Sequence, residues 1–230
     1  SRALEHNASF TAFADMYVAA CEVLRTPDDL AAWTASHPGA AFVPTMGALH
    51  AGHGALVRQA AATGRPTIVS VFVNPTQFND PADFARYPKT LDADLALSQA
   101  AGASAVWAPA VEDIYPQGPG AGVPPLPAVA TAPRLEDAFR PGHFAGVCQV
   151  VLRLFRLVRP GLAVFGEKDW QQLRVISAMT AALAGAEPMP TIVPGVTVRE
   201  ADGLAMSSRN RFLTPGDRPQ ALAISRALRA

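Results

Sequence analysis

The segment Pro44-Thr45-Met46-Gly47-Ala48-Leu49-His50-Ala51-Gly52-His53 sets two imidazoles, His50 and His53, among glycines at the head of a helical pattern. A histidine ring donates a hydrogen bond near neutral pH whether or not it is charged. Gly47 and Gly52 let the backbone turn and approach a ligand without a Cβ in the way. Leu56, Val57 and Ala60 then repeat at helical spacing. The free N–H groups and positive dipole end of that helix point back into the loop, which suits a phosphate. The two glycines have the spacing of a P-loop, but His53 stands where a P-loop needs lysine, and there is no G-x-G-x-x-G. Alone, His-x-Gly-His equally describes two histidines on a surface loop.

The elements that must hold this loop read as strands alternating with helices. Ala40-Ala41-Phe42-Val43 is a buried-strand run, and Pro44, lacking an N–H, ends its ladder. Before it, Glu22-Val23-Leu24-Arg25 reads as a strand, and Thr26-Pro27-Asp28-Asp29 as a capped helix start. Further strands fall at 67–73, 105–107 and 162–165, with short ones at 190–193 and 196–198. Thr90 or Asp92 opens a helix to about Ala101. A longer one over 142–158 carries Phe144, Val147, Val151 and Phe155 on one face. Residues 117–133, rich in Pro, Gly and Ala, read as an irregular excursion. Thr214-Pro215 begins a last helix. The alternation predicts an α/β fold with a doubly wound parallel sheet. Ligands of such sheets bind beyond the carboxyl ends of the strands. His53 and Gln77 both follow strands at that end, as does Lys168.

Composition narrows the setting. Half of the 230 residues are hydrophobic and 17% are charged, enough for a substantial core. Nineteen basic and 19 acidic residues balance to zero, so nothing points to nucleic acid or an acidic membrane surface. Cys21 and Cys148 are too few for a disulfide framework and lie in no zinc spacing, which favours the cytoplasm. The longest apolar run, 147–158, is interrupted by Arg153 and Arg156 and is too short to span a bilayer. No internal repeat is present.

Five separated blocks then give the loop its context. They are Pro44-Thr45-Met46-Gly47-Ala48-Leu49-His50, Val73-Asn74-Pro75-Thr76-Gln77-Phe78, Arg140-Pro141-Gly142-His143-Phe144-Ala145-Gly146-Val147, Phe165-Gly166-Glu167-Lys168-Asp169-Trp170-Gln171-Gln172, and Arg199 to Asn210. In this order, from about Glu22 to Arg218, they resemble the pantothenate synthetase (pantoate–β-alanine ligase) family. That family belongs to the nucleotidyltransferases with a His-x-Gly-His loop and a late Met-Ser-Ser-type loop. The resemblance implies a Rossmann-like nucleotide- and pantoate-binding domain over residues 21–205. Residues 206–230 would then be a phosphate loop and only the start of a second, smaller domain, and residues 1–20 an N-terminal extension outside the resemblance. It also implies a homodimer.

The implied reaction is ATP-dependent adenylation of (R)-pantoate, then attack by β-alanine to give pantothenate, AMP and pyrophosphate. Both anions meet at one site, so the residues required are cations and aligned donors rather than a covalent nucleophile. By resemblance, His50, His53, Lys168 and Arg209 act on the phosphates. ATP is further met by Met46, Gly47, Ala48, Leu49, Ala51 and Gly52, by Gly166, Glu167 and Asp169, and by Val198, Met206, Ser207 and Ser208. Gln77 and Gln172, with Pro44, Thr45 and His143, hold the substrate acids. Without the resemblance, Lys168 is a solvated lysine beside Asp169, Ser207 a capped turn, and each glutamine a satisfied core amide. Mg2+ should bridge ATP oxygens. The acids that meet it in the family correspond to Asp92-Ala93-Asp94, with Leu97 one turn on, so no protein ligand is assigned. The Ser207-Ser208-Arg209 turn shows no apolar anchor beyond Met206, so its order should depend on what it packs against. Two other classes remain: a nucleotidyltransferase of the same loop type acting on another acid, and a non-catalytic binding domain.

Overall fold

The computed structural model describes residues 21–78 and 81–227, so the N-terminal extension and a helix capped by Asn7 lie outside the described residues. The strands are β1 (Glu22–Leu24), β2 (Ala41–Thr45), β3 (Thr67–Val71), β4 (Ala105–Trp107), β5 (Leu162–Gly166) and β6 (Thr191–Gly195). They form one parallel sheet in the order β1-β4-β3-β2-β5-β6. The helices of at least ten residues are α1 (Pro27–Ser36), α2 (Ala51–Ala61), α3 (Leu91–Ala100), α4 (His143–Val158) and α5 (Trp170–Leu183). Thr26 caps α1 as the sequence predicts: its hydroxyl accepts from Asp29 N at 3.1 Å, and Asp29 answers to Thr26 N at 3.0 Å.

Strand periodicity of two sorts the core onto two faces. Phe42, Ile68, Ala105, Trp107, Ala163 and Phe165 face one side, packed against Leu30 and Trp33 of α1, the apolar stripe of α4 and Ile176 of α5. Their neighbours Ala41, Val43, Val69, Val106, Leu162 and Val164 face the other, against Val57 and Ala60 of α2 and Leu95 of α3. Helices on both faces of a parallel sheet make the predicted doubly wound fold.

Pro44 corrects the sequence reading. The strand continues through it, with Pro44 beside Ser70 and Thr45 beside Val71. Alternate residues of β2 address opposite neighbours: Ala41 N bonds Pro66 O and Phe72 N bonds Thr45 O on the β3 side, whereas Gly161 N bonds Ala40 O on the β5 side. Pro44 therefore withholds its N–H from β5 only. Pairing of β2 with β5 is confined to Ala41–Leu162 and Phe42–Ala163, while β5 runs beside β6 through Gly166–Gly195. The strands part at the point where the chain order reverses.

Two further expectations shift. Residues 196–198 form no strand; β6 ends at Gly195, and an isolated antiparallel bridge joins Arg199 to Ala205. Thr214 does make a cap-like turn, its hydroxyl accepting from Asp217 N at 3.2 Å, but regular helix begins only at Arg218.

Helix α4 meets the turn after β3 at Gly146. A Cβ there would lie 2.5 Å from Thr76 O and 2.8 Å from Thr76 C, so backbone would have to move. Gly146→Ala should therefore cost about 1–3 kcal/mol as overpacking. Urea unfolding against the wild type measures it; an unchanged midpoint would show that this contact yields freely.

Candidate active site

A cavity of about 230 Å³ opens where β2 and β5 separate. Its wall takes Pro44, Thr45 and Met46 from the end of β2, Phe72 and Asn74 from beyond β3, and Val164, Phe165 and Gly166 from β5. Val147, Val150, Val151 and Leu154 of α4 make an apolar floor. The rest of the lining is polar: His50, His53, Lys168, Asp169 and the 206–209 turn, with Gln77, Arg140, His143 and Gln172.

The two histidines build the start of α2. His50 is its N-cap: His50 Nδ1 accepts from Gly52 N at 3.2 Å, and His53 Nδ1 accepts in return from His50 N at 3.3 Å. Histidine is not a preferred capping residue, so this cap is poorly legible in a sequence. It has a chemical consequence. A ring nitrogen that accepts an N–H carries no proton, so in each neutral ring Nε2 holds the hydrogen and is the donor. The rings lie 4.1 Å apart between centroids. Burial, then the charges of Lys168 and Arg211, hold the His50 imidazolium disfavoured. Burial, then His50 and Lys168, push His53 down to about 3. Both act as neutral donors, and the charge comes from elsewhere. Lys168 lies half-exposed, with Nζ 2.9 Å from Asp169 Oδ1, a surface pair weak enough to exchange for a stronger anion.

An amide relay fixes Gln77. Asn74 Oδ1 accepts from Tyr115 Oη at 2.7 Å, Thr76 Oγ1 at 3.0 Å and Thr76 N at 3.2 Å. Its NH2 therefore faces Gln77 Oε1 at 3.0 Å, which turns Gln77 Nε2 to Met46 Sδ at 3.0 Å. Thioether sulfur is a weak acceptor, so a better acceptor entering the cavity would win that donor. His143 and Arg140 both donate to Gln77 O, at 3.0 Å each, and pin the turn from below. Burial holds the His143 imidazolium disfavoured, with the Gln77 bond opposing it. Adjacent glutamines divide: Gln171 bonds Glu136 N, Val129 O and Asp137 Oδ1, whereas Gln172 lines the cavity.

The Ser207-Ser208-Arg209 turn is anchored by polar groups where the sequence shows no apolar one. Met206 N bonds Val198 O at 2.9 Å, and Asn210 Nδ2 donates to Glu200 Oε1 at 2.6 Å and to Ala205 O at 3.0 Å. Arg218 ties Glu200 and Asp202 from behind. Ser207 does cap the short turn Ser208–Phe212, accepting from Arg209 N at 3.3 Å, and lines the cavity as well. The Arg209 guanidinium lies 5.8 Å from the Tyr87 ring centroid.

The sequence model described as Pantoate-beta-alanine ligase matches residues 15–230. The chain belongs to the pantoate–β-alanine ligase family. It is 52% identical over 211 residues to a pantothenate synthetase of a Nocardioides species, covering 87% of this chain and 60% of that protein. It is 53% identical over 193 residues to a bifunctional pantoate ligase/cytidylate kinase of a Synechococcus species, covering 82% and 38%. The chain thus spans less than two thirds of these relatives' own lengths. Among solved structures, pantothenate synthetase from Thermus thermophilus superposes with a TM-score of 0.82 at 46% identity, covering 91% of this chain and 74% of that one. The Francisella tularensis pantoate-beta-alanine ligase, complexed with beta-gamma ATP and beta-alanine, gives 0.83 at 36%, covering 92% and 80%.

Of the residues that the family resemblance singles out, most line the cavity, including Gly52, Val198, Met206 and Ser208. Gly47, Ala48, Leu49, Ala51 and Glu167 stand outside its wall. Ala51 is exposed as the first residue of α2, and the N–H groups of Ala48 and Leu49 turn to Asp94. Asn74, Tyr87 and the valines of α4 carry no role in the sequence reading. Asn74 had a signal, an amide before a proline at a strand end; Tyr87 had none.

Two outcomes follow from the histidine cap. His50→Ala should lower stability by about 1 kcal/mol, and His50→Asn, a good N-cap, should restore most of it. The lowered His53 value means that the unfolded chain binds the extra proton first. Its contribution is present above about pH 6.5 and is lost as pH falls toward about 3. His53→Asn should therefore flatten the loss of urea midpoint between pH 7 and pH 4.5; an unchanged acid slope would show that His53 is not held neutral.

Proposed function

We propose that this chain carries the adenylation and condensation site of a pantoate–β-alanine ligase, joining (R)-pantoate and β-alanine into pantothenate with release of AMP and pyrophosphate. The observation that carries the reading is the single cavity at the β2–β5 parting, whose lining combines neutral and cationic donors suited to phosphate, amides suited to an acid, and the apolar side chains of α4. The Francisella relative, solved with a beta-gamma ATP and beta-alanine, supports both as ligands of this site.

In the first step a pantoate carboxylate oxygen attacks the α-phosphorus of ATP. The bond from that phosphorus to the bridging oxygen breaks, and pyrophosphate leaves with the electron pair. Nε2–H of His50 and of His53 donate to phosphate oxygens without adding charge, while Lys168, Arg209 and the α2 N-terminus supply positive potential. Ser207 and Ser208 hold the outer phosphates, and the backbone of Met46 with that of Val198 meets the nucleotide. Mg2+ would enter with ATP as part of the substrate and offset phosphate charge there. No group of three or more His, Cys, Asp or Glu among the described residues is arranged to cage a metal. Gln77 Nε2 and Gln172 bind the carboxylate and hydroxyls of pantoate, whose geminal methyls suit the floor of Phe72, Val147 and Val151. In the second step the β-alanine amine attacks the acyl carbon, the carbon–oxygen bond to AMP breaks, and the amine proton passes to solvent.

The reading carries with it a homodimer, supported by the family resemblance, and a cytoplasmic setting, supported by the free thiols of Cys21 and Cys148. No helix among the described residues is long and apolar enough to cross a membrane.

AMP release with and without each acid tests the function. The ligase requires pantoate for any AMP and β-alanine for pantothenate; AMP formed from another acid alone would mark a different nucleotidyltransferase, and no AMP at all a binding domain. Lys168→Ala should lower the adenylation rate by about a hundredfold with its unfolding midpoint unchanged, and near-normal turnover would remove Lys168 from the reaction. His50→Asn, folded through its cap but without a donor at the Nε2 position, should slow pyrophosphate release more than it raises KM for pantoate.

A further inference from the structure

Asp94 is 1% exposed, on the first turn of α3, and its carboxylate is spent on backbone. Oδ2 accepts from Ala48 N at 3.0 Å, and Oδ1 accepts from Leu49 N at 2.7 Å and from Thr90 Oγ1 at 3.2 Å. The two amides belong to the loop that leads into His50. That loop is strained where Asp94 holds it. Ala48 has φ +51°, a left-handed conformation that a residue with a Cβ disfavours. Gly47 precedes it at φ +79°, and a Cβ there would lie 3.0 Å from both Asp94 Oδ2 and Val71 Cγ1.

The geometry points to Asp94 as a positioning residue that holds Gly47, Ala48 and Leu49 in the turn that aims the Nε2–H groups of His50 and His53 into the cavity, and not as a ligand of the nucleotide's magnesium. Consecutive amides converging on one buried carboxylate fix both the direction of the loop and the start of α2. The loop can then neither relax Ala48 to a right-handed conformation nor turn its N–H groups to the cavity. Both oxygens already have donors, and neither lines the cavity. Thr90, which leads into α3, closes the arrangement from the far side. The inference rests on the proposed ligase reading for its kinetic consequence, but not for its structural one.

The test uses the full chain with Asp94→Asn, Thr90→Val, Ala48→Gly and the Asp94→Asn/Ala48→Gly pair. An amide offers one oxygen where the carboxylate offers two, so Asp94→Asn leaves one loop N–H facing an NH2. Amide hydrogen exchange at Ala48 and Leu49 should accelerate while exchange in β3 and α4 stays as in the wild type. Unchanged protection of those two amides overturns the proposal whether or not the chain is a ligase. Where the wild type makes pantothenate, Asp94→Asn should lower kcat by about ten- to a hundredfold, as for a displaced catalytic group. KM for β-alanine and the Mg2+ concentration for half-maximal rate should not move. Ala48→Gly, which adopts the left-handed turn freely, should return several-fold of that kcat in the pair. A raised Mg2+ requirement in Asp94→Asn, or no rescue in the pair, overturns it. Should Asp94→Asn fail to fold, Thr90→Val, which removes only the hydroxyl donor, carries the test through the same exchange and kcat measurements with smaller shifts. A wild type that makes no pantothenate but shows the exchange change would reject the ligase reading and leave the positioning role standing.

Discussion

One missing hydrogen atom opens this molecule. Pro44 sits in the central strand with its nitrogen toward β5, and the ladder between the two strands stops at Phe42. The other ladder of β2 runs on through Thr45. A sheet that is continuous on one side of a strand and split on the other has a crevice at its carboxyl end, at the reversal of strand order where ligands of doubly wound sheets bind. Every functional segment reaches that crevice: the histidine loop from β2, the glutamine turn from β3, the lysine turn from β5, and the serine–arginine turn through the hairpin after β6.

The electrostatics of the crevice divide into donors and charges. The partly buried, cap-forming histidines are held neutral, so they can stabilise an anion only by hydrogen bonding. Positive charge stays on Lys168 and Arg209 near the solvent, where the desolvation cost of an ion is small. Such an arrangement can receive a polyanion without burying an uncompensated cation when no ligand is present. It also explains why a chain with only two lysines places one of them at this rim.

A set of polar side chains fixes the orientation of the groups that line the cavity. Asn74, with Tyr115 and Thr76, decides which end of the Gln77 amide is the donor. Asp94 collects the amides of the histidine loop. Glu200, Asn210 and Arg218 fold the hairpin behind Ser207. In each case a polar side chain is satisfied by the backbone or by another side chain. A buried polar group left unpaired costs more than its bond contributes, so such networks have few alternative arrangements.

The sequence by itself determined the architecture and the addresses of the site. Strand and helix periods, the Thr26 cap and the apolar face of α4 follow from local chemistry, because side-chain alternation and orphan end groups act within a few residues. The five blocks identified the family and most of the cavity wall. Only the tertiary structure decided the directions. That Pro44 breaks one ladder and not both depends on which neighbour its nitrogen faces. The choice of Gln172 over Gln171 for the cavity depends on how α5 meets Asp137 and Val129. The donor nitrogen of each histidine depends on a cap that histidine seldom makes. Asp94, in sequence part of the stretch that corresponds to the family's magnesium-meeting acids, becomes a backbone acceptor because α3 packs its first turn against residues 48 and 49, more than forty positions earlier in the chain. Long-range hydrogen bonds of this kind leave no period in a sequence, since neither partner's type depends on its neighbours along the chain.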